Sequence, residues 1–298
     1  MKKILLLVSL ILAVGSSVYA AELKDISGYE FEKEILILQS LNIAGGDENG
    51  YFNPNERVKR SEAAKLIDEA FSYSGTPYEQ TDTEFSDVSA SHWASGYIKA
   101  AADRAFINGM GDGTFAPDAD ITYAQAATII MKALGYEPFA ESFGGYPNGY
   151  IQYAQSFHLS DKIAANNDSV MTRGELAYMI ANALETPVTE FTADNRYLNI
   201  MQGRGTNYLC PLIKYHKAYF VNGKITGTYR SGAAVKKGYV ELEIDYAKRL
   251  GNEYINLPKT IVCNTADGDA VYDLIYLKGD FILKQSGDDE YTIIMIIV

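Results

Sequence analysis

FSDVSASHWASGYIKAAADRAFINGMGDGTFAPDADITYAQAATIIMKAL, residues 85–134, is the second of three related copies in this chain, and comparing the copies decides the fold. The stretch GGDENGYFNPNERVKRSEAAKLIDEAF (45–71) aligns with it without a gap, Gly50 to Ala64 against Gly113 to Ala127. Phe52 falls on Phe115, Pro54 on Pro117, Val58 on Ile121 and Glu62 on Gln125. A worn third copy ends in VMTRGELAYMIANAL (170–184), where Met171, Thr172 and Glu175 take the places of Ile121, Thr122 and Gln125. A repeat of roughly 50 residues implies one small supersecondary unit, each copy burying its apolar face against the others.

The copies read as helix, glycine-rich loop, helix. Phe31, Ile35, Leu38 and Leu41 share one face at helical spacing, as do Ala63, Leu66, Ile67 and Ala70 after the turn NIAGGDENG. The second copy places Trp93, Tyr97, Ile98 and Ala101 on its first helix and Ala126, Ile129, Ile130 and Leu134 on its second. The third has Tyr150, Ile151, Ala154 and Phe157, then Leu176, Met179, Ile180 and Leu184. Thr122-Tyr-Ala-Gln125 and Thr172-Arg-Gly-Glu175 have the form of a capping box; the first copy has Lys59 at the cap place and keeps only the Glu62 half. The polar and glycine- or proline-rich stretches 72–84 and 135–149 read as linkers.

Residues 1–20 carry a basic start (Lys2, Lys3), the apolar run ILLLVSLILAV and a small-x-small end at Val18-Tyr19-Ala20, the layout of a secretory signal peptide cleaved after Ala20. A retained anchor is disfavoured because the run falls short of about 20 residues, and no other segment is long enough to cross a bilayer. Without Lys2 and Lys3 the chain has 24 basic against 38 acidic residues. That balance disfavours nucleic acid, so any anionic partner must be held by locally placed cations. Cys210 and Cys263 give no disulfide framework; they either pair or are buried thiols.

After Glu185-Thr186-Pro187 the helical period gives way to KAYFVNGKITGTY, GYVELEIDY and DLIYLKGDFILK. These alternate, are rich in Val, Ile and Tyr, and are expected to break at Asn-Gly, Lys-Gly and Gly-Asp turns. A small all-β domain over 190–298 is expected, ending in the strand YTIIMIIV (291–298). Its Tyr208, Tyr215, Tyr219, Tyr229 and Tyr239 form either core or a sugar-stacking face.

The second copy, with FSDV (85–88), Trp93, Tyr97-Ile98, GMGDGTFAPD (109–118) and ITYAQAA (121–127), resembles the S-layer homology (SLH) repeat of bacterial surface proteins. The resemblance covers about 22–187 and sets the copies at 22–80, 81–144 and, degenerate, 145–187. It implies a mainly α region, with the three helix–loop–helix repeats in a pseudo-threefold bundle. It also implies non-covalent attachment to an acidic secondary cell-wall polysaccharide, commonly a pyruvylated one, at the surface of a Gram-positive-type cell. In that family a Thr-Arg-Ala-Glu-like tetrad opens the second helix, and its arginine contributes to polymer binding. Here the tetrads read Lys59-Arg60-Ser61-Glu62, Thr122-Tyr123-Ala124-Gln125 and Thr172-Arg173-Gly174-Glu175. The candidate polysaccharide-binding residues are therefore Arg60, Arg173, Lys59, Thr172, Tyr123 and Trp93.

The residues themselves point the same way. An arginine in the first turn opposes the helix dipole, so its presence in two copies of an acidic protein suggests use. Free amides at the helix start beside a guanidinium would make a small anion site. The plainer reading pairs Arg60 with Glu62 or Asp68, and Arg173 with Glu175. The second copy has lost its cation: Tyr123 either stacks on a sugar or is inactive, and Tyr123→Arg is expected to strengthen binding if the cation is what matters. The third copy has Ala164-Ala165-Asn166-Asn167-Asp168 where a GDGTF-like loop would stand. Trp93 reads as a core anchor with a sugar-contacting edge as the alternative.

No cofactor, metal or catalytic residue is expected. Gly109-Met-Gly111-Asp-Gly113 lacks the strand and the Lys-Ser/Thr of a phosphate loop, and Asp47-Glu-Asn49-Gly50 lacks the bidentate acid of a calcium loop. Both read as turns. His92, His158 and His216 have no metal-ligand spacing, and no G-x-S-x-G elbow occurs. Leu257-Pro-Lys-Thr260 is followed by Ile261 where a covalent sorting signal needs glycine. The leading expectation is a wall-anchored surface protein without activity of its own. A wall-active enzyme with its site in 190–298, or a component of a surface-protein lattice, are the alternatives.

Overall fold

The computed structural model describes residues 23–72, 78–191, 197–199, 210–228, 231, 233, 235–236, 238–247, 259–265, 276–287 and 290–297. The expected signal peptide, Tyr208, Tyr229 and Leu257-Pro258 lie outside them. Two compact units divide the chain, one helical (21–202) and one β-rich (212–298).

The helical unit contains α1 (Glu32–Ser40), α2 (Arg60–Phe71), α3 (Ser95–Asp103), α4 (Tyr123–Ala133), α5 (Glu137–Ser142), α6 (Asn148–Ser156) and α7 (Arg173–Ala183). The helices that pack together come from different copies. α2 lies on α3, α4 on α6, and α7 returns to α1, so each second helix uses the first helix of the next copy. The apolar stripes read from the sequence meet in this way, with Ile35, Leu38, Ile98, Ala101, Tyr150 and Ala154 buried against Ile67, Ile130, Leu176 and Ile180.

Where the second helices begin, three backbone groups close a ring. Val58 N–H donates to Met171 O (3.1 Å), Met171 N–H to Ile121 O (2.9 Å), and Ile121 N–H to Val58 O (2.9 Å). These are equivalent positions of the three copies, and all three side chains are buried. The ring fixes the pseudo-threefold axis.

Two stretches read as linker or sheet differ. The 135–149 segment holds α5, a helix of six residues that is too short to show a period and carries proline in its first turn, where the missing N–H costs nothing. A two-stranded antiparallel pair, β1 (Thr189–Phe191) and β2 (Tyr197–Asn199), belongs to the helical unit. Thr189 N–H bonds Leu134 O at 2.9 Å, and Gly135 (φ +86°) lets the chain come this close, since a Cβ there would sit 2.0 Å from Thr189 O.

The second unit begins with the short α8 (Pro211–Lys214). It continues through β3 (Ala218–Thr228), β4 (Tyr239–Ala247), β5 (Thr260–Asn264), β6 (Lys278–Gln285) and β7 (Tyr291–Ile297). The five strands close into a barrel in the order β3-β4-β5-β7-β6. Ile225, Val240, Leu242, Cys263 and Phe281 fill its interior. Asn222-Gly223 and Gly279-Asp280 are not turns; they lie within β3 and β6. The register of β3 against β4 shifts at Asn222/Gly223, where a Cβ on Gly223 would stand 2.5 Å from Glu243 O. Glycine there serves a bulge, which coils β3 so that it pairs with both β4 and β6. Tyr219 and Tyr291 are buried, whereas Tyr239 is part-exposed. Cys210 and Cys263 are both buried and are not disulfide-bonded.

Candidate ligand grooves between the repeats

Arg60 is the first residue of α2, held there by an N-terminus in which Glu62 accepts the Lys59 N–H at 2.9 Å. Its side chain leaves its own copy. Nε donates to Phe115 O at 2.9 Å, a terminal nitrogen reaches Asn108 O at 3.4 Å, and the guanidinium carbon lies 4.6 Å from the Phe115 ring centroid. Arg173 repeats the arrangement on α7: it donates to Gly45 O at 3.1 Å and stacks 4.7 Å from the Phe52 ring. Phe52 and Gly45 align with Phe115 and Asn108, so the two contacts are equivalent. At the third junction Tyr123 reaches from α4 into the third copy, its hydroxyl 2.8 Å from Ser160 Oγ.

Neither arginine follows the plainer pairing. Asp68 is bound by Arg104 at 2.7 Å, and Glu175 caps α7 by accepting the Thr172 N–H at 2.8 Å. Among the described residues no carboxylate comes within ion-pair distance of Arg60 or Arg173. Burial draws both guanidinium pKa values down; Tyr146 and Asp87 oppose this at Arg60, and Glu62 and Glu56 at Arg173. Arginine remains charged all the same. Each site thus holds a cation, buried at Arg60 and half-buried at Arg173, carried by carbonyls and a ring, with fork positions left for a carboxylate.

The helix-start amides are not available. Arg60 and Ser61 donate theirs to Ala119 O and Pro117 O, and Arg173 and Gly174 theirs to Glu56 O and Pro54 O, all between 2.8 and 3.0 Å. Tyr123 and Ala124 do the same to Ser169 O and Asn167 O. The next copy's loop satisfies these donors, which the sequence of a single copy does not reveal. The anion site suggested by the dipole therefore reduces to side chains.

A cavity of about 380 Å³ opens beside Arg60, with Asn108, Met110, Lys132, Glu141 and Tyr146 among its walls. Lys132 Nζ is 2.6 Å from Glu137 and, with the Asn108 amide oriented to satisfy its neighbours, 3.2 Å from the Asn108 oxygen. Tyr150 donates to Glu141 at 2.7 Å, and burial followed by that carboxylate raises the Tyr150 pKa. Met110 and Tyr146 are more than half exposed and offer an apolar rim. Lys132, Phe115 and Tyr146 were missed from sequence. The alignment of Phe52 with Phe115 was a signal for the ring, but nothing marked Lys132.

The other candidates take different places. Lys59 pairs with Asp120 at 2.6 Å on the surface, where Arg57 joins it at 3.3 Å. Thr172 is a capping residue whose hydroxyl accepts the Glu175 N–H at 3.3 Å. Tyr123 is only 4% exposed, so no ring face is open for a sugar. Trp93 precedes α3 and is not core: it is 50% exposed, stacked on His92 at 5.9 Å, and lines no part of the Arg60 cavity.

The S-layer homology domain model matches residues 22–64 and 84–127. This chain carries S-layer homology repeats. The segment through α6 and α7 lies outside the matched residues and takes the third place in the pseudo-threefold ring. The chain is 30% identical over 184 residues to the middle cell wall protein of Brevibacillus brevis, covering 60% of this chain and 17% of that protein. It is 31% identical over 161 residues to a surface layer protein of Brevibacillus choshinensis, covering 53% and 14%. It is 36% identical over 166 residues to the cellulosome-anchoring protein of Acetivibrio thermocellus, covering 53% and 36%. The aligned part is thus under two-fifths of each relative's length.

Proposed function

We propose that the SLH unit holds this chain non-covalently at the bacterial cell wall by binding a secondary cell-wall polysaccharide that carries carboxylates, a pyruvylated sugar being the type that fits. The observation that carries the reading is a pair of partly desolvated guanidiniums, buried at Arg60 and half-buried at Arg173. Each is stacked on a phenylalanine of the next copy and, among the described residues, has no carboxylate within ion-pair distance. A partly desolvated cation gains from a bidentate carboxylate more than an exposed one does, because less water is displaced on contact. The SLH match and the wall, surface-layer and anchoring proteins among the relatives support the same reading.

Tyr146 and Met110 supply the apolar rim for the sugar ring at the Arg60 groove, where Lys132 is already paired with Glu137 and leaves Arg60 as the cation for the ligand. Lys59, Thr172 and Tyr123 act by shaping the junctions. Co-sedimentation of the purified protein with isolated wall sacculi tests the proposal. Binding is expected to native sacculi and to be lost once the polysaccharide is chemically stripped. Retained binding to stripped sacculi would refute it.

A further inference from the structure

The barrel of the second unit has a strand order with consequences for binding. Counting its strands from one to five, the order β3-β4-β5-β7-β6 is 1-2-3-5-4, closing back on 1. All neighbours are antiparallel except β5 and β7, the third and fifth, which are parallel. The first strand is the longest and bulges at its glycines. This is the topology of the OB-fold, whose ligands, oligonucleotides or oligosaccharides, lie across strands two and three between the loops joining strands 1–2 and 4–5.

A cavity of about 370 Å³ stands at that place. Lys236 comes from the 1–2 loop, Tyr239 from β4, Val262 and Asn264 from β5, and Ser286 and Glu290 from the 4–5 loop. Val240, Leu242, Ile261 and Cys263 point inward, so their alternating neighbours Tyr239, Val262 and Asn264 face outward. Tyr239 sits directly opposite Asn264 in the register, and Val262, next along β5, is 48% exposed. The Tyr239 hydroxyl and the Asn264 amide make no hydrogen bond among the described residues. A flat aromatic ring beside an apolar patch, edged by a free amide and a carboxylate, suits a pyranose. The ring takes the sugar's C–H face and the polar groups take its hydroxyls.

Charge decides between the two classes of ligand. The outward face of β4 carries Glu241, Glu243 and Asp245, against Lys236 at one end. Lys259 and Lys278 offset two of these, at 3.4 and 2.7 Å, and among the described residues Lys236 is the one cation at the cavity, too few for a track of phosphates. We propose that this face binds an uncharged oligosaccharide, with Tyr239 as the stacking platform and Asn264 and Glu290 as hydrogen-bonding partners. The site is separate from the arginine grooves and takes a ligand of different charge.

The test is a titration of the purified protein with cellopentaose, chitopentaose and a ten-residue oligothymidylate, followed by calorimetry and by the Val262 methyl resonances. Saturable binding of at least one oligosaccharide is expected, with Val262 perturbed. Tyr239→Ala and Asn264→Ala should each weaken it tenfold or more, and Tyr239→Phe should retain it. Arg60→Ala with Arg173→Ala should leave it unchanged, which separates this site from wall binding. No saturable binding of either sugar would overturn the proposal. So would binding that survives Tyr239→Ala in a folded protein, or preferential binding of the oligothymidylate.

Discussion

Arg173 donates a hydrogen bond to the carbonyl of Gly45, 128 residues earlier in the chain, over 3.1 Å. The contact joins the last copy to the first and places a half-buried guanidinium on the Phe52 ring. Arg60 makes the same contact with the second copy. A pair of grooves with matched chemistry follows, and with it a quantitative expectation.

Arg60→Ala and Arg173→Ala should each weaken wall binding by about 1.5–3 kcal/mol, the range for hydrogen bonds to charged groups, or roughly 10- to 150-fold. The double variant should bind almost not at all. Arg→Lys at either site should fall between, because lysine keeps the charge and loses the fork. Sedimentation with sacculi, alongside circular dichroism to confirm folding, reads all three. Wild-type binding by a folded double variant would rule the arginines out.

Tyr123 belongs to the same geometric set and behaves differently. Tyr123→Phe removes the partner of the buried Ser160 hydroxyl and should cost about 1–3 kcal/mol of stability, leaving wall binding unchanged. Tyr123→Arg, a gain on the sequence reading only if the cation is what matters, is expected to destabilise and not to strengthen binding. Its place offers Ala165 where the other copies offer Phe115 and Phe52, so the new guanidinium would be buried without a ring to stack on. Thermal melts and wall binding measured on the same preparations distinguish this from a restored groove.

Asp68 is fully buried and held by Arg104 at 2.7 Å and by the Ser72 hydroxyl at 3.3 Å. Arg104→Ala should destabilise the helical unit by about 2–4 kcal/mol, somewhat below the usual range for a fully buried pair because Arg104 is partly exposed. Denaturant unfolding followed by far-ultraviolet circular dichroism measures it. Wall binding well below the new melting point should persist.

Burial pushes the Cys263 thiol up to about 12, from an ordinary value of 9.0. The unfolded thiol ionises first as pH rises, so the folded state then holds more protons. Stability of the barrel should therefore fall as pH climbs from about 9 towards 12, and Cys263→Ser should flatten that slope. Neither buried cysteine should react with an aromatic disulfide reagent at pH 8 until the protein unfolds.

Helix faces, the two capping threonines and the change of period after Pro187 were legible because each depends on residues a few positions apart. The pairing of α2 with α3, α4 with α6 and α7 with α1 was not, since a stripe such as Leu66 and Ile67 states that it is buried and not against which copy. The same limit explains the site. Arg60 and Arg173 stood out by position, but the carbonyls of Asn108 and Gly45 that hold them are backbone groups with no sequence signature. Asn222-Gly223 misled for a related reason. The dipeptide that favours a tight turn also suits a bulge, and only the pairing of β3 with two neighbours tells them apart.

The main-chain ring through Val58, Ile121 and Met171 has one donor and one acceptor from each copy and none to spare. An open solenoid grows by stacking another unit on a free end; a triangle has no end on which to stack. Copy number is thereby locked at three, and a chain cut to two copies would expose a broken strand of hydrogen bonds at its centre along with one unmatched helix face. On the proposed wall-binding role, a firmer grip requires multiplying whole triangles or sharpening the chemistry within one. In this chain, Tyr123 shows one corner given over to holding the triangle shut.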